Sequence, residues 1–151
     1  MIPSRAFLAR ALYDWILENG WTPYVVVDAE CPGVQVPVQH VQDGQIILNI
    51  SPSAVQYLQM GNAELTFNAR FGGVPMQVIA PIASVLAVYA RENGQGMGFG
   101  MEPGADLLEQ RLLEEATASS LEAVDSTSSK GDEPVEDADS KKKRPTLKVV
   151  K

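Results

Sequence analysis

The chain has 151 residues, of which 45% are hydrophobic and 21% charged, and its formal net charge is −7. The charge is −3 over residues 1–101, −10 over residues 102–140 and +6 over residues 141–151. About 100 residues suffice for one modest core, whereas a body with four arginines and no lysine excludes a phosphate-tracking nucleic-acid surface.

The cysteine count and the N-terminal residues indicate in which cellular compartment the protein acts. Cys31 is the sole cysteine, so an intrachain disulfide is excluded, which fits a reducing compartment. Charged residues such as Arg5, Arg10 and Asp14 interrupt the first twenty residues, unlike the apolar core of a signal peptide. No stretch has the length of a membrane span. We therefore expect a soluble, cytoplasmic protein without a membrane partner.

A helix is predicted at the start of the chain, with Ser4 as N-cap and Gly20 as C-terminal stop. Its apolar residues recur at three- and four-residue spacings and form one stripe: Phe7, Leu8, Ala11, Leu12, Trp15 and Ile16. One interpretation is that the stripe covers the core of the domain. The other is that part of it contacts the same helix of a second copy.

Short strands follow from Trp21 to Phe99, separated by turn dipeptides. The segments TPYVVVDAE, CPGVQVPV, QIILNI, AVQYLQM, ELTFNARF, VPMQVIAP and VLAVYARE are rich in β-branched or alternating apolar residues. Asp43-Gly44, Gly61-Asn62, Gly72-Gly73 and Asn93-Gly94 indicate tight turns, and a helical turn fits between residues 81 and 86. The predicted fold class is mainly β (α+β), with an N-terminal helix and a small antiparallel barrel or sandwich.

The composition changes after residue 101. Residues 102–143 are rich in Ser, Asp and Glu and poor in aromatic residues, as expected of a flexible acidic linker. Helical spacing leaves open whether residues 104–116 form a helix. Residues 144–151, RPTLKVVK, combine cations with Leu147 and Val149, which lie on one side of an extended chain. This layout is typical of a docking peptide at the end of a disordered tether.

Enzymatic activity is not indicated by the residues. Cys31 and His40 are the only thiol and the only imidazole, and both lie near predicted turns, so an inert pair is favoured over a thiol hydrolase. One histidine and one cysteine do not make a tetrahedral metal site. The glycines of residues 94–100 do not open an apolar helix, so they do not indicate a phosphate loop. We expect no cofactor and no metal.

Peptide binding is one interpretation of the segment NARFGGVPMQV. Gly72-Gly73 permits close approach of another backbone, while Phe67 and Phe71 would supply apolar walls and Arg70 a cation for an acidic residue. The other interpretation is an ordinary turn between two strands with a solvated Arg70. The residues alone leave both open.

Several long motifs, in order, resemble one family. LYDWILENGWTPYVVVD, PGVQVPV, DGQIILNISPSAV, FNARFGGVPMQV, VLAVYARENGQG and the terminal RPTLKVVK are similar to the stringent starvation protein B (SspB) family, specificity-enhancing adaptors of the ClpXP protease. The resemblance implies a non-enzymatic cytoplasmic homodimer with an Sm-like or SH3-like β-domain. It also implies binding of ssrA-tagged proteins from stalled translation, and docking to the N-terminal zinc-binding domain of ClpX.

The resemblance further implies domains and sites. Residues 1–101 would bind the tag and dimerise, residues 102–143 would be the linker, and residues 144–151 would dock on ClpX. The tag-binding residues would be Asn49, Ile50, Phe67, Ala69, Arg70, Phe71 and Gln77. The ClpX-docking residues would be Arg144, Pro145, Leu147, Val149 and Val150, and the dimer interface would include Leu8, Leu12 and Trp15.

A different class of function remains as the alternative. An Sm-like domain with a basic tail, residues 141–144, is also compatible with RNA binding. That function requires an affinity that falls steeply with salt, whereas a docking peptide requires the apolar residues Leu147 and Val149.

Overall fold

The N-terminal helix, α1, spans Arg5–Glu18 in a computed structural model that describes the backbone of residues 1–132 and the side chains of residues 1–121. Gly20 ends it as predicted: its φ is +76°, and the N–H groups of Gly20 and Trp21 bond to the carbonyls of Leu17 and Ile16, a Schellman motif. Ser4 is the N-cap by position but makes no side-chain capping bond. Its hydroxyl instead donates to the Pro103 carbonyl at 2.7 Å.

Seven strands follow in two antiparallel sheets. Their bounds are β1 Pro23–Asp28, β2 Gln45–Asn49, β3 Val55–Met60, β4 Glu64–Phe71, β5 Val74–Pro81, β6 Val85–Ala90 and β7 Gly96–Gly98. The first sheet has the order β2-β1-β6-β7 and the second β3-β4-β5. Short 3-10 turns at Val38–His40 and Ile82–Ser84 interrupt the connections.

The predicted α+β class is confirmed, and the two sheets are separate rather than closed into one barrel. Most strand predictions hold, and so does the helical turn between residues 81 and 86. The alternation in CPGVQVPV, however, does not produce a strand; it gives only a bridge between Gln35 and Ile79. Pro32 and Pro37 explain the difference, because proline cannot donate to a sheet ladder. β7 was not predicted, since its Gly-Met-Gly sequence has no strand propensity.

One hydrophobic core joins the buried faces of both sheets and of α1. Phe67 of β4, Ile46 of β2, Val25 of β1 and Ile16 of α1 are all at most 2% exposed and belong to one cluster. On β2 and β4 buried residues alternate with more exposed ones, as a half-buried antiparallel strand requires. This alternation determines which side chains of β4 face the space beside β2.

The segment after β7 is attached to the body by a buried ion pair. Arg5 Nε lies 2.6 Å from Glu102 Oε1, and the two side chains are 7% and 3% exposed. Arg5 also donates to the carbonyls of Ala83 and Val85 at 3.0 and 3.3 Å and lies over the Phe99 ring. Arg5 therefore connects α1, the β5–β6 connection and the segment after β7.

The question of a helix after residue 104 is answered by α2, which spans Ala105–Asp132. Ala105 and Leu108 are buried at the start of this helix. The chain divides into two units after Leu112; in the described part of the second, Leu113 and Leu121 are exposed. No helix within residues 1–132 is long and apolar enough to cross a bilayer. The remainder of the predicted linker and the docking residues 144–151 lie outside the described residues.

Removing Arg5 should destabilise the fold, because it leaves the Glu102 carboxylate buried without its partner. Arg5→Leu should lower the free energy of unfolding by about 3 kcal/mol, as loss of one member of a buried pair does. Urea unfolding measures the change. Arg91→Leu is the matched control, because Arg91 and Glu92 pair on the surface at 3.5 Å and such pairs contribute little. Equal effects of both substitutions would contradict this role of Arg5.

The same pair should make stability sensitive to acid. Burial opposes ionisation, but hydrogen bonds from the Gly100 N–H and from Arg5 outweigh it and hold the pKa of Glu102 below its ordinary value of 4.5. The resulting stabilisation is present above pH 4.5 and disappears as the pH falls through the lowered pKa of the folded state.

Candidate functional site

A groove runs between the outer edge of β2 and the inner face of β4. It encloses a cavity of about 590 Å³, which is large enough for several residues of an extended peptide. We call it the β2–β4 groove. It is lined by His40, Gln42, Asp43, Gln45, Ile46, Ile47, Leu48, Asn49, Ala54, Phe67, Ala69, Arg70 and Phe71.

The β4 wall of this groove is apolar because of strand alternation. Phe67, Ala69 and Phe71 point to the same face of β4 at two-residue spacing. Phe67 is 2% exposed, whereas Ala69 and Phe71 are half-buried. Ala69 has the small side chain between two aromatic ones, so the wall has its widest space at that position.

Polar groups lie around the mouth of the groove. The Arg70 guanidinium donates to the Gly73 carbonyl at 3.0 Å across the turn formed by Gly72 and Gly73, both of which have positive φ. Asp43 contributes an acid, and the His40 ring lies 5.8 Å from the Phe71 ring. One arginine, one aspartate and one exposed imidazole do not make a phosphate-binding surface, which argues against the RNA-binding alternative for this groove.

A second groove adjoins the first. It has a volume of about 720 Å³ and shares Ala54, Ala69 and Arg70 with the β2–β4 groove. We call it the outer groove. The strand register places the amide side chains of Gln56, Asn68 and Gln77 side by side along it, so uncharged hydrogen-bonding groups dominate this surface.

The structure divides the predicted tag-binding residues among three places. Asn49, Phe67, Ala69, Arg70 and Phe71 line the β2–β4 groove. Gln77 lines the outer groove, which Ala69 and Arg70 also reach. Ile50 is fully buried in the core, so its side chain supports the β2 wall from behind and does not face either cavity.

Sequence reasoning missed eight of the residues that line the groove: His40, Gln42, Asp43, Gln45, Ile46, Ile47, Leu48 and Ala54. The available signal was the two-residue period of a strand, which places Ile47 on the same side of β2 as the polar residues Gln45 and Asn49. Ile47 is 56% exposed despite its apolar side chain.

The predicted dimer residues lie on or near an exposed side of α1. Trp15 is 43% exposed and Leu8 and Leu12 are half-buried, with Leu12 packed against the core. Phe7 is 47% exposed and Ala11 is also exposed. Phe7, Ala11 and Trp15 follow one another at four-residue spacing, so they form one continuous stripe, which we call the α1 stripe.

Cys31 and His40 differ in their surroundings. Cys31 is 7% exposed, whereas His40 is an exposed residue in contact with Phe71. In the described part of the chain, no three His, Cys, Asp or Glu side chains form a group suited to a metal ion.

A groove with apolar and amide walls beside an open strand edge is the architecture of a peptide-binding domain.

Sequence comparison agrees with this class of protein. The family model described as stringent starvation protein B matches residues 3–151. A stringent starvation protein B homolog of Haemophilus influenzae (strain Rd) is 49% identical over 123 residues, which cover 82% of each chain. The chain belongs to the stringent starvation protein B family, the non-enzymatic adaptors that deliver ssrA-tagged substrates to the ClpXP protease.

Proposed function

We propose that the β2–β4 groove is the site at which this adaptor binds the ssrA tag. The main support is its geometry: an apolar wall of Phe67, Ala69 and Phe71 faces the open edge of β2. Hydrogen-bonding groups for a peptide backbone and apolar space for its side chains therefore occur together. Asn49 and Arg70 are available at the same groove for polar groups of the tag.

Filling the groove at Ala69 should block tag binding without unfolding the domain. Ala69→Gln places a longer polar side chain between Phe67 and Phe71, so the affinity for a fluorescent ssrA-tag peptide should fall at least about tenfold, the effect of losing roughly 1.4 kcal/mol. Fluorescence anisotropy measures the affinity, and the thermal midpoint reports folding.

Ala63→Gln provides the control for the Ala69 experiment. Ala63 is exposed in the β3–β4 turn and lines neither groove, so its variant should bind the peptide as the unmodified protein does. A folded Ala69→Gln protein with unchanged affinity would remove the β2–β4 groove from consideration.

We propose that residues 144–151 dock on the N-terminal zinc-binding domain of ClpX, with Arg144, Pro145, Leu147, Val149 and Val150 as contacts. The support is the composition of RPTLKVVK and the extension of the family match to residue 151. The acidic segment 102–143 would act as the linker. Docking by the tail makes the encounter between a bound substrate and ClpX intramolecular, so delivery improves without any chemistry by this chain.

Deleting residues 146–151 should abolish stimulation of ClpXP without affecting binding of the tag. Tag-peptide affinity should remain unchanged, while stimulation of ClpXP degradation of an ssrA-tagged fluorescent protein should disappear at limiting substrate concentration. Substituting Lys141, Lys142 and Lys143 together by Ala tests the basic tail separately, because Leu147, Val149 and Val150 remain. Loss of function in the triple variant with full function in the deletion would favour a phosphate-binding tail and contradict docking.

We propose that the α1 stripe is the contact with a second copy, making the adaptor a homodimer. Phe7 and Trp15 keep 47% and 43% of their area exposed. Each ring is nevertheless in contact with a side chain of the same protomer. The Arg10 guanidinium carbon lies 4.6 Å from the centre of the Phe7 ring, and the Trp21 ring packs edge-on against the Trp15 ring with 5.5 Å between their centres. These contacts hold two large rings in position on one side of α1. Aromatic residues of this kind dominate protein interfaces.

A charge within the α1 stripe should dissociate the dimer. Trp15→Glu should reduce the mass measured by light scattering from that of two chains to that of one, since a carboxylate in an apolar interface is unfavourable. Met101→Glu is the control, because Met101 is 98% exposed and lies outside the stripe. A single-chain mass for the unmodified protein, or a two-chain mass for Trp15→Glu, would contradict the interface.

We also propose that the protein acts in the cytoplasm and that its body is related to Sm-like or SH3-like domains. Membership in a family that serves ClpXP supports the location. An N-terminal helix followed by strongly paired antiparallel strands supports the structural relation.

A further inference from the structure

The two sheets have four edge strands. In the described part of the chain, three of these edges are either short or covered by other groups. At β3, the outward carbonyl of Met60 accepts a hydrogen bond from Arg10 at 2.9 Å. At β5, Gln35 and Ile79 exchange both backbone bonds, at 2.8 and 3.0 Å. β7 has only three residues. Short or covered edges prevent unwanted pairing with other chains.

The fourth edge, β2, is different. Ala29 donates to the Gly44 carbonyl, and Ile50 donates to the Pro23 carbonyl. Because the direction of backbone hydrogen bonds alternates along an antiparallel strand, even-numbered residues of β2 bond to β1. The N–H and C=O groups of Ile47 and Asn49 consequently point away from β1.

The start of this edge is closed by the chain itself. Gln42 and Gln45 exchange backbone bonds of 2.8 and 3.0 Å around a turn in which Asp43 and Gly44 have φ of +54° and +76°. These angles define a type I′ turn. The open part of the edge therefore begins after Gln45 and includes Ile47 and Asn49.

The open edge faces the β2–β4 groove. All five residues of β2 line that groove, although successive side chains of a strand point to opposite faces. A cavity that touches both sets of side chains lies along the strand's edge, where the backbone groups are. Opposite this edge, Phe67, Ala69 and Phe71 provide the apolar wall.

We propose that a bound peptide adds to β2 as a further strand of the first sheet, exchanging backbone hydrogen bonds with Ile47 and Asn49. The proposal rests on the β2–β4 groove being the tag site and specifies how that site recognises its ligand. Alternate peptide side chains face the Phe67–Phe71 wall, while the intervening ones point to solvent. Recognition then depends on every second side chain and on backbone groups that all extended peptides share.

The first test removes one backbone donor from the edge. Ile47→Pro deletes the outward N–H of residue 47, and edge strands tolerate proline at such positions because the ladder is not interrupted. The affinity for a fluorescent ssrA-tag peptide should fall at least about tenfold. Ile47→Ala keeps the N–H and should retain more affinity than the proline variant.

Gly98→Pro is the matched control. The bond from Phe99 to the Leu86 carbonyl and that from Ala90 to the Gln95 carbonyl set the alternation on β7, so Gly98 also points its N–H away from its sheet. This substitution places a proline at an outward position on the opposite edge, outside both grooves. The variant should bind the peptide normally, and its thermal midpoint shows what an edge proline costs in stability.

The second test uses N-methylated tag peptides on the unmodified protein. In an added strand, only every second peptide N–H bonds to β2, so N-methylation should weaken binding at alternate positions and be tolerated between them. Amide exchange of Ile47 should also slow on binding. Equal tolerance at all positions, with Ile47→Pro binding normally, would overturn strand addition; if Ala69→Gln still blocked binding, the groove assignment would stand. Normal binding by Ala69→Gln as well would reject both.

Discussion

An antiparallel sheet leaves backbone donors and acceptors unpaired along each outer strand, and this constraint explains much of how the chain is arranged. Arg10 of α1 covers part of the β3 edge and Gln35 pairs with the β5 edge, so a helix and a loop that look unrelated in sequence perform the same task. Within residues 1–132, the backbone bonds outside the sheet close the β2 edge at Gln45 alone. The covering of the β3 and β5 edges and the proposed binding at β2 thus depend on the same property, the unpaired backbone groups of an edge strand.

The pair of Arg5 and Glu102 attaches the segment after β7 to the body. Arg5 bonds to Glu102 and to the carbonyls of Ala83 and Val85, so residues close to both ends of the folded unit meet in one buried polar cluster. Leu108 extends this attachment into the first turns of α2. The first turns of α2 are therefore held against the body at a defined position.

An adaptor must bind its substrate securely and yet release it to the protease. The proposed strand addition suits that requirement, because backbone pairing along a short open edge would give a modest affinity that a second, tethered contact could increase. It also limits how much sequence the adaptor reads, since half of the peptide side chains would face solvent. Family membership establishes delivery of ssrA-tagged substrates to ClpXP. The proposed tag site in the β2–β4 groove would give a physical account of the capture step.

The sequence by itself determined the helix, six of the seven strands and the turns, because these depend on local periodicity and on residues such as Gly20 and Gly44 that accept positive φ. For Phe67, Ala69, Arg70 and Phe71 the residues alone left a groove and an ordinary turn both open, and the family resemblance favoured the groove that these four line in the structure. Only the tertiary structure decided that Ile50 is buried, that Gln77 faces the outer groove and that Ile47 borders the site. Those outcomes depend on strand order and on which edge stays open, and these are settled by contacts between residues distant in the chain.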